Sequence, residues 1–158
     1  MPGVFLAMEF IYSFIFVSIM SIDTTYLERC IATLDKALSL LQASDPDNID
    51  YDMYRSACIK EFEIILEQSG KLLRKALKPF LHSSKAVDAL TFKEVFRHSV
   101  RHGRITDEES ERWLQYRDNR NNTAHDYGVN IAEETLAILP QFSTDATGIV
   151  AAIHKMNN

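Results

Sequence analysis

The spacing of the apolar residues is the strongest constraint on what this chain can fold into. Leu27, Ile31, Leu34, Leu38 and Leu41 recur at alternating intervals of four and three, and so do Tyr54, Cys58, Phe62, Ile65, Ser69, Leu72 and Ala76. That period stacks these side chains on one face of an α-helix, whereas the faces of a β-strand alternate at every second residue. Two amphipathic helices are therefore expected. Asp23 or Thr24 caps the first. The second runs from Tyr51 to Lys78 and is closed by Pro79. The intervening Ala43–Asp50 segment, ASDPDNID, reads as a loop centred on Pro46.

The second half of the chain carries helix-start signals. Thr91-Phe92-Lys93-Glu94 and Thr106-Asp107-Glu108-Glu109 both have a hydroxyl residue followed three positions later by Glu, the pattern of a capping box. The first opens a short helix through Val95, Phe96 and Val100 that ends near Gly103. The second opens a helix through Trp113 toward Tyr127, with Gly128 placed to end it. Asn130-Ile131-Ala132-Glu133 has the same cap pattern and opens a last helix through Leu136, Ile138 and Leu139. Pro140 should kink or break that helix, and Gly148 should weaken its continuation. No hairpin signal and no internal repeat is evident. The expected fold is all-α, an antiparallel bundle of four main helices plus a short helix.

The first 22 residues stand apart. They are almost all apolar, but Glu9 interrupts them and the charge-free run after it is 13 residues long. A membrane-spanning helix needs about 20 apolar residues. A secretory signal begins with basic residues, and none precedes Arg29. Three readings remain open: a natural start further along, with Met20 as initiator; a membrane anchor; or an added core or interface segment. Residues 1–22 are therefore set apart as an extension, and 23–158 as the helical domain.

Composition narrows the function. A chain of 158 residues suits one domain, and 46% hydrophobic residues with only five Gly and four Pro make a disordered or collagen-like chain untenable. The formal charge of −5 argues against a protein that coats nucleic acid over a large surface. Two lone cysteines, Cys30 and Cys58, make neither a zinc module nor a disulfide scaffold, and they suit a cytoplasmic protein. Both fall in the first two helices and read as buried, inert thiols.

Common catalytic motifs are absent: there is no phosphate-binding Gly loop, H-E-x-x-H or G-x-S-x-G. No cofactor is expected. His98 and His102 lie four apart, but a zinc site needs more ligands than the neighbourhood supplies. They are expected on a solvated basic face with Arg97, Arg101 and Arg104, which could steer phosphates; Arg117 joins these as an RNA-steering candidate. His82 and His154 read as undistinguished loop and tail residues.

The segment Trp113–Tyr127, WLQYRDNRNNTAHDY, is different because it packs polar groups into the end of a helix that should be entering a core. Arg120 is a permanent cation able to hold a phosphate with two hydrogen bonds. His125 titrates near neutrality and can move a proton. Such a pair suffices to cut RNA, with His taking the proton of a 2′-hydroxyl and Arg stabilising charge on the phosphorane. Five residues turn an ideal helix about 140° beyond a full revolution, so Arg120 and His125 would not point the same way, whereas Arg120 and Tyr127 share a face. Either the helix is distorted here or the site joins groups from two chains. Local pairing of Arg120 and His125 with Asp118 or Asp126 is the structural alternative.

Arg120-Asn121-Asn122-Thr123-Ala124-His125-Asp126-Tyr127 resembles the R-N-x3-H-x-Y motif of the HepT-like branch of the HEPN superfamily, also called nucleotidyltransferase substrate-binding proteins. The resemblance extends to Trp113, to Phe62–Arg74 and to Phe92–Ile105, and spans about residues 23–155. It implies a helical bundle that forms a homodimer, with both motifs meeting at a cleft. Arg120 and His125 match the family's catalytic pair in a metal-independent endoribonuclease, and Asn121 matches the residue that orients them. Tyr127 matches the tyrosine to which a partner, a minimal nucleotidyltransferase antitoxin, adds AMP. The resemblance thus implies the toxin of a toxin–antitoxin pair, acting on RNA. The rival reading is a non-catalytic substrate-binding subunit of a nucleotidyltransferase, and a third is a structural dimer with neither role.

Overall fold

The computed structural model describes residues 8–9, 21–123 and 129–158. Among them are six α-helices: α1 (Thr25–Gln42), α2 (Ile49–Ala76), α3 (Ser84–Asp88), α4 (Phe92–Arg101), α5 (Asp107–Thr123) and α6 (Val129–Asn157), with a 3-10 turn at Lys78–Phe80. No strand occurs among the described residues.

The long helices alternate in direction. α1 runs against α6, with Thr24 beside His154 at one end and Asp35 bonded to Ser143 further along. α2 runs alongside α6 in the same sense, since Tyr51 meets Glu133 and Phe62 packs edge-on against Phe142 at 4.7 Å. α5 runs against α6: Arg112 and Tyr116 meet Asp145, and Asn119 meets Thr135. The four main helices thus form the expected bundle. α4 lies on its flank, antiparallel to α5, with Phe96 stacked 5.2 Å from Trp113. The core is built from Leu27, Leu34, Phe62, Ile65, Leu66, Leu73, Phe96, Trp113, Phe142 and Ile149, all essentially inaccessible. Gly70 lets α4 approach α2: a Cβ there would sit 3.1 Å from the Phe92 ring.

Several local expectations hold. Thr91 and Glu94 exchange both capping-box bonds. Thr106 and Glu109 do the same, Glu109 N donating to Thr106 Oγ1 and Glu109 Oε2 accepting from Thr106 N. α4 ends in a Schellman motif: Gly103 N donates to Val100 O and Arg104 N to Ser99 O, both at 2.8 Å, with Gly103 at φ +65°. Cys30 and Cys58 are buried.

Others are corrected. α2 starts earlier than Tyr51 because Asn48 caps it by accepting from Asp50 N at 3.1 Å. It ends at Ala76, and Pro79 lies in the 3-10 turn beyond. At α1 the cap bond comes from Asp23, which accepts from Thr25 N at 2.8 Å, while the Thr24 hydroxyl turns to Glu28 and His154. His154 is therefore no idle tail residue. α6 begins at Val129, so Asn130 is already helical, and Glu133 reaches Tyr51 instead of back to a cap. Pro140 does not break α6, which continues through Gly148 to Asn157. A mid-helix proline costs about 3 kcal/mol. Leu139, Phe142, Ala146, Ile149 and Ile153, buried on both sides of it, offset that cost. α6 is also long and apolar enough to cross a membrane, but here those apolar residues fill the bundle core. The helix end expected at Gly128 lies outside the described residues.

Candidate functional site

α5 carries the first half of the motif. Arg120 lies in the last described turn of α5, half-buried. Asn121 and Asn122 follow, both exposed. His125 and Tyr127 lie outside the described residues, as does the geometry between Arg120 and His125. Val129 opens α6, at the end of the bundle where α2 begins.

Two contacts fix how α5 lies against α6. Thr135 Oγ1 donates to Asn119 Oδ1 at 2.9 Å, tying α6 to α5 next to Arg120. Deeper in, Arg112 donates from Nε and Nη2 to the two carboxylate oxygens of Asp145, each at 2.7 Å, and Tyr116 donates its hydroxyl to Asp145 at 2.7 Å. Gln141 donates to the same carboxylate at 3.1 Å. Burial alone would raise the pKa of Asp145, but the bonds from Arg112, Tyr116 and Gln141 outweigh it and hold the carboxyl below its ordinary value. Burial and then the Asp145 bond push the Tyr116 phenol up. The network is a clamp that fixes how α5 lies on α6. Apolar spacing carries no sign of it, because Arg112 and Tyr116 lie 33 and 29 residues from Asp145 in sequence.

The steering candidates do not form one group. Arg117, one turn before Arg120, pairs with Glu67 of α2 at 2.5 Å and lies over the Phe92 ring at 5.0 Å. Arg97 and Arg101 are exposed on α4. Arg104 is half-buried over the Phe80 ring at 5.1 Å, and His102 stacks on the same ring at 4.3 Å. The expected solvated face is thus partly anchored: Phe80 draws His102 and Arg104 inward. Because α4 runs against α5, Arg97 and Arg101 lie roughly 12–18 Å from Arg120 along the helix axis. The exposed acids Asp45, Asp47, Asp50 and Asp52 stand at the start of α2 and in the loop before it, whereas α5 meets α2 further along, where Arg117 reaches Glu67. Among the described residues, no group of three His, Cys, Asp or Glu side chains could hold a metal.

Comparison with known proteins places this geometry. Residues 23–155 match the family model described as nucleotidyltransferase substrate binding protein like. This chain belongs to that family. A curated relative, the probable ribonuclease HepT of Haemophilus influenzae, is 27% identical over 110 residues, covering 70% of this chain and 74% of that protein. A solved Haemophilus influenzae structure, described as revealing the fold of a substrate-binding domain of a nucleotidyltransferase, superposes with a TM-score of 0.72 at 22% identity. It covers 84% of this chain and 99% of its own. The chain is thus a HepT-like member of the nucleotidyltransferase substrate-binding family, with the all-helical fold of that domain. Within this family member, the residues that sequence reasoning missed are Asn119, Thr135, Arg112 and Asp145, which position α5 and its terminal Arg120.

Proposed function

We propose that this protein is the toxin of a toxin–antitoxin pair, a cytoplasmic homodimeric endoribonuclease formed by residues 23–158. The observation that carries the reading is the intact R-N-x3-H-x-Y motif at Arg120–Tyr127 in a HepT-like chain. In this mechanism His125 takes the proton of a ribose 2′-hydroxyl, and that oxygen attacks the adjacent phosphorus. Arg120 stabilises the charge that develops on the phosphorane oxygens, and the 5′-oxygen leaves with a proton. Asn121 orients the pair. Neither step calls for a metal. AMP added to Tyr127 by a partner nucleotidyltransferase adds bulk and negative charge at the mouth of the cleft, which excludes RNA and silences the toxin.

The test is incubation of the unmodified protein with total RNA in excess EDTA, beside Arg120→Ala and His125→Ala. Cleavage by the parent alone supports the reading. Intact RNA from a dimeric parent with Tyr127 free of AMP overturns it. The second reading, a non-catalytic substrate-binding subunit, is favoured by the net charge of −5. Growth arrest on expressing this chain alone, relieved by His125→Ala, decides against that subunit.

A further inference from the structure

Residues 78–104 hold six Lys and Arg against two acids, a local charge of +4 in a chain of −5. Lys93, Arg97 and Arg101 recur every fourth residue along α4 and are all exposed, so they line one face with a rise of about 6 Å between neighbours. At the far end of this row stands Phe80, 38% exposed, with His102 stacked on it and Arg104 over it. At its near end, Lys93 borders a groove of about 490 Å³ between α4 and α5 that also holds Gln115 and Arg117, one turn before Arg120. Glu111 and Asp118 share the groove. Among the described residues, none of Lys93, Arg97, Arg101 and Arg104 is in an ion pair. Glu94, the one acid on the helix that carries the row, is occupied by its bonds from Thr91.

A row of unpaired cations that ends at an exposed aromatic stack is an arrangement that binds a single-stranded nucleic acid, charge tracking the backbone and the Phe80–His102 stack offering aromatic surface to a base. We propose that α4 is a rail for single-stranded RNA, leading from the Phe80 cluster through the Lys93–Arg117 groove toward Arg120. The roughly 12–18 Å along it corresponds to about four or five stacked nucleotides at ~3.4 Å each. The proposal rests on the ribonuclease reading for its direction but assigns a contact surface that the motif does not contain. It also reconciles RNA binding with the net negative charge, since the cations are concentrated on one flank.

The test uses a fluorescein-labelled 12-nucleotide single-stranded RNA, with anisotropy titrations in a His125→Ala background so that the probe stays intact. Arg97→Gln with Arg101→Gln should weaken binding on the order of tenfold at 0.1 M salt and flatten the log–log salt slope by about 1.4, two phosphate contacts on a single strand. Phe80→Leu should weaken binding with no change in salt slope. In the His125 parent, the Arg97→Gln/Arg101→Gln pair should raise KM for the 12-mer more than for a dinucleotide. Equal affinity and salt slope for parent and pair overturn the rail, and so does absence of binding by the parent. If RNA binds as described but the parent cuts neither substrate, the catalytic reading falls and the rail stands.

Discussion

The Thr135 hydroxyl of α6 donates to the Asn119 side chain of α5 at 2.9 Å, immediately before Arg120. This bond ties α6 to α5 one residue before Arg120. Thr135 is fully buried, so its partner is a structural commitment and not a surface accident. Thr135→Val keeps the shape, removes the donor and leaves Asn119 short of a partner. We expect a stability loss of about 1–2 kcal/mol. If the bond positions Arg120, RNA cleavage should fall further than stability does. Melting curves and EDTA-resistant cleavage measured on the same samples check this, and unchanged cleavage with lowered Tm would reduce the bond to a purely structural role.

Asp145 is the second point. Its carboxylate is buried and holds Arg112 in a two-bond fork, so Asp145→Ala strands a cation and a phenol. Breaking one side of such a pair costs about 3–5 kcal/mol, which we expect as a lower midpoint in urea. The pH dependence follows from its lowered pKa. The unfolded carboxyl titrates near 3.9. The contribution of Asp145 is therefore complete above that pH and is lost as pH falls through the lower folded value. Stability of Asp145→Asn should consequently show a shallower acid limb below about pH 4 than the parent. Parallel acid limbs would remove Asp145 from the account.

Gly103 ends α4 at φ +65° with open space around its Cα. A side chain there meets no neighbour, so the cost of Gly103→Ala is the left-handed backbone alone, about 1 kcal/mol. Because Gly103 sets the exit toward Arg104, the same variant should also weaken the Arg104 contact with Phe80. Thermal denaturation, with near-ultraviolet circular dichroism to report the aromatic cluster, measures both.

The thiols should be inert. Cys58 is buried with no exposed surface, and desolvation pushes its pKa up to about 11. Burial raises that of Cys30 as well. At pH 8 roughly one Cys58 thiol in a thousand is thiolate, the reactive form. Native protein should react with a thiol reagent only as fast as it unfolds, and both cysteines should react promptly in denaturant. Fast labelling of native protein would contradict the buried placement.

Sequence and structure divide the account along a physical line. The helix stripes, both capping boxes and the Gly103 stop were legible because each is a local device, completed within one or two turns of backbone. The R-N-x3-H-x-Y motif was legible for a similar reason: it is short, contiguous and rich in chemistry. The continuity of α6 through Pro140 was not legible, because a local penalty of about 3 kcal/mol was outweighed by side chains that the chain buries against distant helices. Nor was the sorting of the arginines. Arg97, Arg101, Arg104, Arg117 and Arg120 look alike in sequence. Only packing turned Arg117 to Glu67, laid Arg104 over Phe80, and left Arg97 and Arg101 exposed on the flank. Local signals in the chain were enough to tell which helices form and which residues carry chemistry. The tertiary structure decided which cations are paired and how α5 is held, because charge pairing and the α5–α6 clamp join residues tens of positions apart.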